Sequence, residues 1–112
     1  MTTKEINICG KNVTIAYCYA TEIDFRKNAG VPMEQLDTTD AAHILHIIMA
    51  AMSPYYKSKG EDVPLTEDGI KYEASPEELV QAFTVIMQLR AEWYKMPAGE
   101  PTDEPTKAPK ND

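Results

Sequence analysis

His43 and His46, with Asp40 three residues ahead of the first, come nearest in this sequence to a metal-ligand set. On a helix that spacing puts all three side chains on one side. Zinc usually takes three or four protein ligands, in a sharper pattern such as His-Glu-x-x-His. The two histidines are therefore read as the wet edge of an otherwise apolar helix, with no metal and no cofactor. Cys9 and Cys18 are the other reactive groups. On the strands assigned below they lie about 20 Å apart, at ~3.4 Å per residue. A disulfide tolerates less than about 7 Å between Cα atoms, so two reduced thiols are expected. The acid pairs Glu61-Asp62, Glu67-Asp68 and Glu77-Glu78 are adjacent in sequence and fall in a loop or at helix starts. They serve as caps and solvated charge rather than as a general acid and base. The sequence has no glycine-rich phosphate loop, no nucleophile elbow and no cysteine with an evident activating base. A non-catalytic chain is expected.

The apolar residues are more informative. Met49 and Met52 stand three apart and are followed by Tyr55 and Tyr56; Met87, Trp93 and Tyr94 come later in the chain. Any one of these could be core. Together with their neighbours they give two helices more apolar circumference than a hairpin and two short helices can easily cover. Methionine also suits surfaces that adapt to several partner shapes. These seven residues are the expected protein-binding set, for client chains or sister copies.

The elements that must carry them can be read in order. Residues 4–17 form a β-hairpin: Ile6 and Ile8, then Val13, Ile15 and Tyr17, alternate with polar or small residues. A two-residue type II′ turn at Gly10-Lys11 pairs Ile8 with Val13 and Ile6 with Ile15, leaving Glu5, Asn7 and Thr14 on the other face. A lone hairpin is only marginally stable, so its apolar face must rest on helices. A short helix of about two turns, residues 20–29, has Thr21 as N-cap and Gly30 as its left-handed stop; Ile23 and Phe25 supply apolar contact. Asp37-Thr38-Thr39-Asp40 starts the second helix, residues 40–52, which is apolar around most of its girth and closed by Pro54. Tyr55 to Pro64 reads as a loop with an exposed aromatic pair. Residues 66–73 form a short helical turn interrupted near Gly69. Ser75-Pro76-Glu77-Glu78 is a capping box with proline at the first helical position, opening a helix over 76–95. The fold class is α+β, mostly α: one domain over residues 1–96, an N-terminal hairpin packed on three to four helices. Residues 97–112 carry proline every four residues among Glu, Asp, Thr and Lys, and are expected to be a disordered tail.

At 112 residues, 43% apolar and a formal charge of −7, the chain suits one globular domain with little affinity for phosphate backbones or anionic lipid. No apolar run reaches the roughly 18 to 20 residues of a membrane span. The N-terminus lacks the apolar stretch of a secretory signal, so a cytoplasmic location is expected.

The order of elements resembles the tail assembly chaperones of long-tailed phages and prophages. The hairpin Ile6-Asn7-Ile8-Cys9-Gly10-Lys11-Asn12-Val13-Thr14-Ile15 runs into Tyr19-Ala20-Thr21-Glu22-Ile23-Asp24-Phe25 and on to Gly30. An apolar helix follows, then Pro64-Leu65-Thr66-Glu67-Asp68-Gly69-Ile70 and a helix opened by Ser75-Pro76-Glu77-Glu78-Leu79. The resemblance covers residues 4 to about 95. It implies a chaperone in the bacterial host cell that coats the tape-measure protein, a long apolar helical rod, and is displaced when tail tube protein polymerises around that rod. It further implies a homo-oligomer, and the short form of a family that also makes longer, frameshifted products, or a branch without the extension. Two other classes stay open: a structural component kept in the finished particle, and a small regulatory binding module.

Overall fold

The computed structural model describes residues 1–95. The expected tail over 97–112 lies outside the described residues. Strand β1 (Thr3–Ile8) pairs antiparallel with β2 (Lys11–Ala16), and helices α1 (Tyr19–Ala29), α2 (Ala41–Ser58), α3 (Glu67–Glu73) and α4 (Pro76–Lys95) follow, with a 3-10 turn at Met33–Gln35 between the first two. This is an α+β fold, mostly α, built as the pattern of the sequence predicts. No described helix is long and apolar enough to cross a membrane.

The hairpin turns one residue earlier than expected. Ile8 faces Lys11 and Ile6 faces Val13, so the loop is Cys9-Gly10 rather than Gly10-Lys11. Both loop residues have positive φ, 54° and 74°, as a type I′ turn requires. Cys9 thereby adopts a conformation that disfavours a residue with a Cβ by about 1–2 kcal/mol. Its amide is held in place by the Glu78 carboxylate, which accepts from Cys9 N at 2.9 Å. The alternation survives the correction. The expected and observed pairings differ by two residues in register, and a side-chain period of two returns each residue to the same face. Ile6, Ile8, Val13 and Ile15 are all buried, while Glu5 and Asn7 face solvent.

Helix α1 spans three turns rather than two, and its N-cap is Cys18. Thr21, the expected cap, sits inside the first turn and reaches back: its Oγ1 accepts from Cys18 N and donates to Ala16 O, each at 3.2 Å. That pair of bonds satisfies a fully buried hydroxyl and ties the helix to the end of β2. Gly30 ends the helix with φ 82°, as expected. Phe25 points inward, but Ile23 is 62% exposed, not a core contact.

Helix α2 is capped by Asp40, whose Oδ1 accepts from Ala42 N and His43 N. It does not stop at Pro54 but continues through it to Ser58. Tyr55 and Tyr56 therefore belong to the helix rather than to a loop. A proline inside a helix typically costs about 3 kcal/mol. The extra turn offsets this by packing Tyr56 on the core and by offering its hydroxyl to Thr14 N at 3.0 Å. That bond occupies an outward-pointing amide on the free edge of β2. Helix α2 packs against α1, β2, α3 and α4, so the most apolar helix is also the central one.

Helix α3 is capped by Thr66 and passes through Gly69 without interruption. A Cβ at Gly69 would come within 3.2 Å of Thr66 Oγ1, which accepts from Gly69 N at 2.9 Å. Helix α4 begins with the expected capping box: Ser75 Oγ accepts from Glu78 N, and Glu78 Oε1 accepts from Ser75 N. Its buried stripe is Ala82, Ile86 and Leu89. β1 rests on α4, and β2 on α2, so the hairpin bridges the two long helices.

Candidate functional site

The seven residues expected to bind protein are dispersed by the fold. Met52 is 0% exposed and belongs to the core, because it repeats at i,i+4 from Ile48 on the buried stripe of α2. It is removed from the candidate surface. Met49 and Met87 are half-buried against the same core. Tyr56 is half-buried with its hydroxyl committed to Thr14, and Tyr55 stands edge-on to it at 5.1 Å, with Lys59 Nζ 5.1 Å from the Tyr55 ring. Trp93 and Tyr94 enter a different cluster.

That cluster joins the end of α4 to α1. The Trp93 ring lies 5.4 Å from Tyr17, 4.8 Å from Tyr19 and 5.0 Å from Tyr94, all in tilted or edge-on arrangements. Beneath the rings, Glu22 Oε2 accepts from Tyr17 at 2.8 Å and from Tyr94 at 3.0 Å. Arg90 Nε lies 3.5 Å from Glu22, and its Nη2 lies 3.6 Å from Glu34. Burial, and then the hydrogen bond to Glu22, push the Tyr17 hydroxyl far above the ordinary tyrosine range. Burial and Glu22 raise Tyr94 as well. Both phenols therefore stay protonated and donate. Tyr19 is 72% exposed and shares an outer face with Ile23 four residues on. This corner is a locked junction of α1, α4 and the Met33–Gln35 turn, with an aromatic outer surface.

The less committed surface lies at the other end of α4. Between the N-terminal halves of α2 and α4 runs a groove of about 430 Å³, lined by Ala41 and Ile44 on one side and by Pro76, Leu79, Val80 and Phe83 on the other, with Thr38 and Thr39 at its end. Val80 is 64% exposed and forms a ridge. Beyond it lies a second hollow of about 410 Å³, between Glu5, Ile6 and Asn7 of β1 and the Gln81, Thr84 and Val85 side of α4. Tyr17 and Tyr94 of the aromatic corner have hydroxyls with partners. Ile44, Leu79, Val80 and Phe83 have no polar atoms in their side chains, so water wets them less readily. The groove is the stronger candidate for a protein-binding site. Val80 shows its position in the sequence: two residues before Ala82, it sits about 200° around the helix from the start of the buried stripe. The groove itself needs α2 and α4 set side by side, which no local pattern reveals.

His43 and His46 are not a wet edge. Both are half-buried; the His43 ring meets Phe25 edge-on at 6.0 Å, its Nδ1 accepts from Asp37 N at 3.0 Å and its Nε2 lies 3.5 Å from Asp40 Oδ2. His43 thus braces the start of α2 against α1. Among the described residues, no group of three or more His, Cys, Asp or Glu is placed to hold a metal ion. Cys9 and Cys18 are free thiols at opposite ends of the hairpin. Compared with protein-family models, curated proteins and solved structures, the chain matches none of them.

Proposed function

We propose that this chain is a holding chaperone for an apolar helical client, and specifically a tail assembly chaperone of a long-tailed phage or prophage. In that role it keeps the tape-measure protein in solution until tail tube protein polymerises around it. One observation carries the holding reading: with the core fully assembled, α2 and α4 still leave an apolar groove at Ile44, Leu79, Val80 and Phe83. The phage assignment is supported by the resemblance in the order of elements. A groove of this kind suits one face of a helix, which presents anchors at i, i+3 or i+4, and i+7. The charge of −7 keeps many copies on one rod apart from one another and in solution.

The test is co-expression with a long helical rod protein encoded beside this chain. The chaperone is expected to move the rod from the pellet to the soluble fraction, and Val80→Glu to lose that effect while folding normally. Burying one large apolar side chain contributes about 1.5–3 kcal/mol, so loss of the Val80 contact weakens binding by roughly one to two decades. Mass spectrometry of purified particles separates this role from that of a particle component. A chaperone is absent from them; presence of the chain in stoichiometric amount would overturn the proposal.

A further inference from the structure

The charge around the groove is one-sided. From Glu34 to Ile48 and from Glu73 to Gln88, the two stretches that contribute all of its lining, there is no Lys or Arg. The same stretches hold Asp37, Asp40, Glu73, Glu77 and Glu78, besides Glu34, which is paired with Arg90 in the aromatic corner. Asp37 and Asp40 flank the lining residues Thr38 and Thr39, and Glu77 follows Pro76. The N-termini of α2 and α4 meet at this end and together present about one positive elementary charge. Three carboxylates at the rim outweigh that. Hydrogen bonds from the Thr39 hydroxyl and amide hold the Asp37 carboxyl below its ordinary range, so it is ionised at neutral pH.

We infer that the groove between α2 and α4 selects an amphipathic helix whose apolar stripe is bordered by Lys and Arg, the stripe lying on Ile44, Leu79, Val80 and Phe83 and the cations reaching Asp37, Asp40 and Glu77. This inference rests on the holding-chaperone reading and adds a partner chemistry to it. From Pro76 to Phe83 the groove follows α4 for about 10 Å, at 1.5 Å per residue. Two turns of a partner helix cover that length, enough for three apolar anchors. The cations add direction and selectivity rather than most of the affinity, because exposed ion pairs are individually weak and are screened by salt.

The test uses the full chain and three synthetic helical peptides with one leucine stripe, flanked by Lys, by Gln or by Glu. Affinities are measured by calorimetry at about 0.05 M and about 0.5 M salt, where the Debye length falls from roughly 14 Å to 4 Å. The Lys peptide is expected to bind about tenfold more tightly than the Glu peptide at low salt, with Gln between, and the gap to close at high salt. Glu77→Gln is expected to narrow the gap, and Val80→Glu to weaken all three peptides. Equal affinities for the three peptides would overturn the inference and leave the holding reading intact. Peptide binding untouched by Val80→Glu would place the site elsewhere and overturn the inference. A wild-type oligomer that Val80→Glu turns into a monomer, with no peptide bound, would show that a second copy fills the groove. The exposed Tyr19 and Ile23 of α1, with Arg26 and Lys27 beyond them, would be its natural insert.

Discussion

Replacing Tyr56 with phenylalanine removes one oxygen and tests why α2 runs on past Pro54. That oxygen accepts from Thr14 N at 3.0 Å, 42 residues away, on the outer edge of β2. A neutral hydrogen bond contributes about 0.5–1.5 kcal/mol net. The site is only partly buried, so water can reach the abandoned amide and the loss stays near the middle of that range, about 1 kcal/mol. For a domain of this size, 1 kcal/mol lowers Tm by roughly 4–8 °C. The ring remains, so core packing is untouched and the effect belongs to the hydroxyl. Tyr55→Phe is the control: its ring leans on Tyr56 and Lys59, and the change should stay within about 0.5 kcal/mol. Thermal melts by circular dichroism give the stability, and amide exchange at Thr14 gives the location. Thr14 is expected to lose protection in Tyr56→Phe more than Val13 or Ile15, whose amides lie within the hairpin ladder. If Thr14 exchanges as in the wild type and Tm moves by less than about 1 °C, the last turn of α2 does not hold the strand. The account of Pro54 then fails.

Two further outcomes separate core from surface and test the cap. Met52→Ala, at a fully buried position, should cost about 2–5 kcal/mol, whereas Val80→Ala should stay within about 0.5 kcal/mol; comparable urea midpoints for the two would reverse their assignments. Amide donation from Ser75, and then from Cys9, holds the Glu78 carboxyl below its ordinary range. A carboxyl lowered in the fold adds stability above its unfolded pKa and loses it as pH falls through the folded one. Glu78→Gln should therefore flatten the fall in stability between about pH 5 and pH 3, and an unchanged slope would refute the link.

Much of what depends on neighbours a few residues apart was legible in the sequence. The alternation of Ile6, Ile8, Val13 and Ile15, the Ser75–Glu78 capping box and the stop at Gly30 are all local, and all three stand as read. Two departures trace to a distant partner, whereas the shift of the α1 cap from Thr21 to Cys18 is local. Gly10-Lys11 is the better turn on local grounds because it asks only glycine for a positive φ; Glu78, 69 residues away, tips the choice to Cys9-Gly10. Pro54 is a sound stop signal until Tyr56 finds Thr14 across the fold. For the binding surface, residue type misled where angle would have served. Met52 looked adaptable but lies in line with Ile48, while Val80 looked ordinary and lies off the buried stripe of α4.

The contact between β1 and α4 joins the beginning of the chain to its last described helix, and so sets a timetable for synthesis. The ribosome delivers Ile6 and Ile8 first, and α2 soon arrives to cover β2. The helix that completes β1 comes much later. From Ile8 to Leu89, at about 5–20 residues per second, the wait is roughly 4–16 s. Throughout it, a β-branched strand with an open edge stands on the nascent chain, a form prone to pair with other strands. A chain cut or stalled before Ser75 keeps that strand bare permanently, and also leaves the Cys9 amide without the carboxylate that shapes the turn.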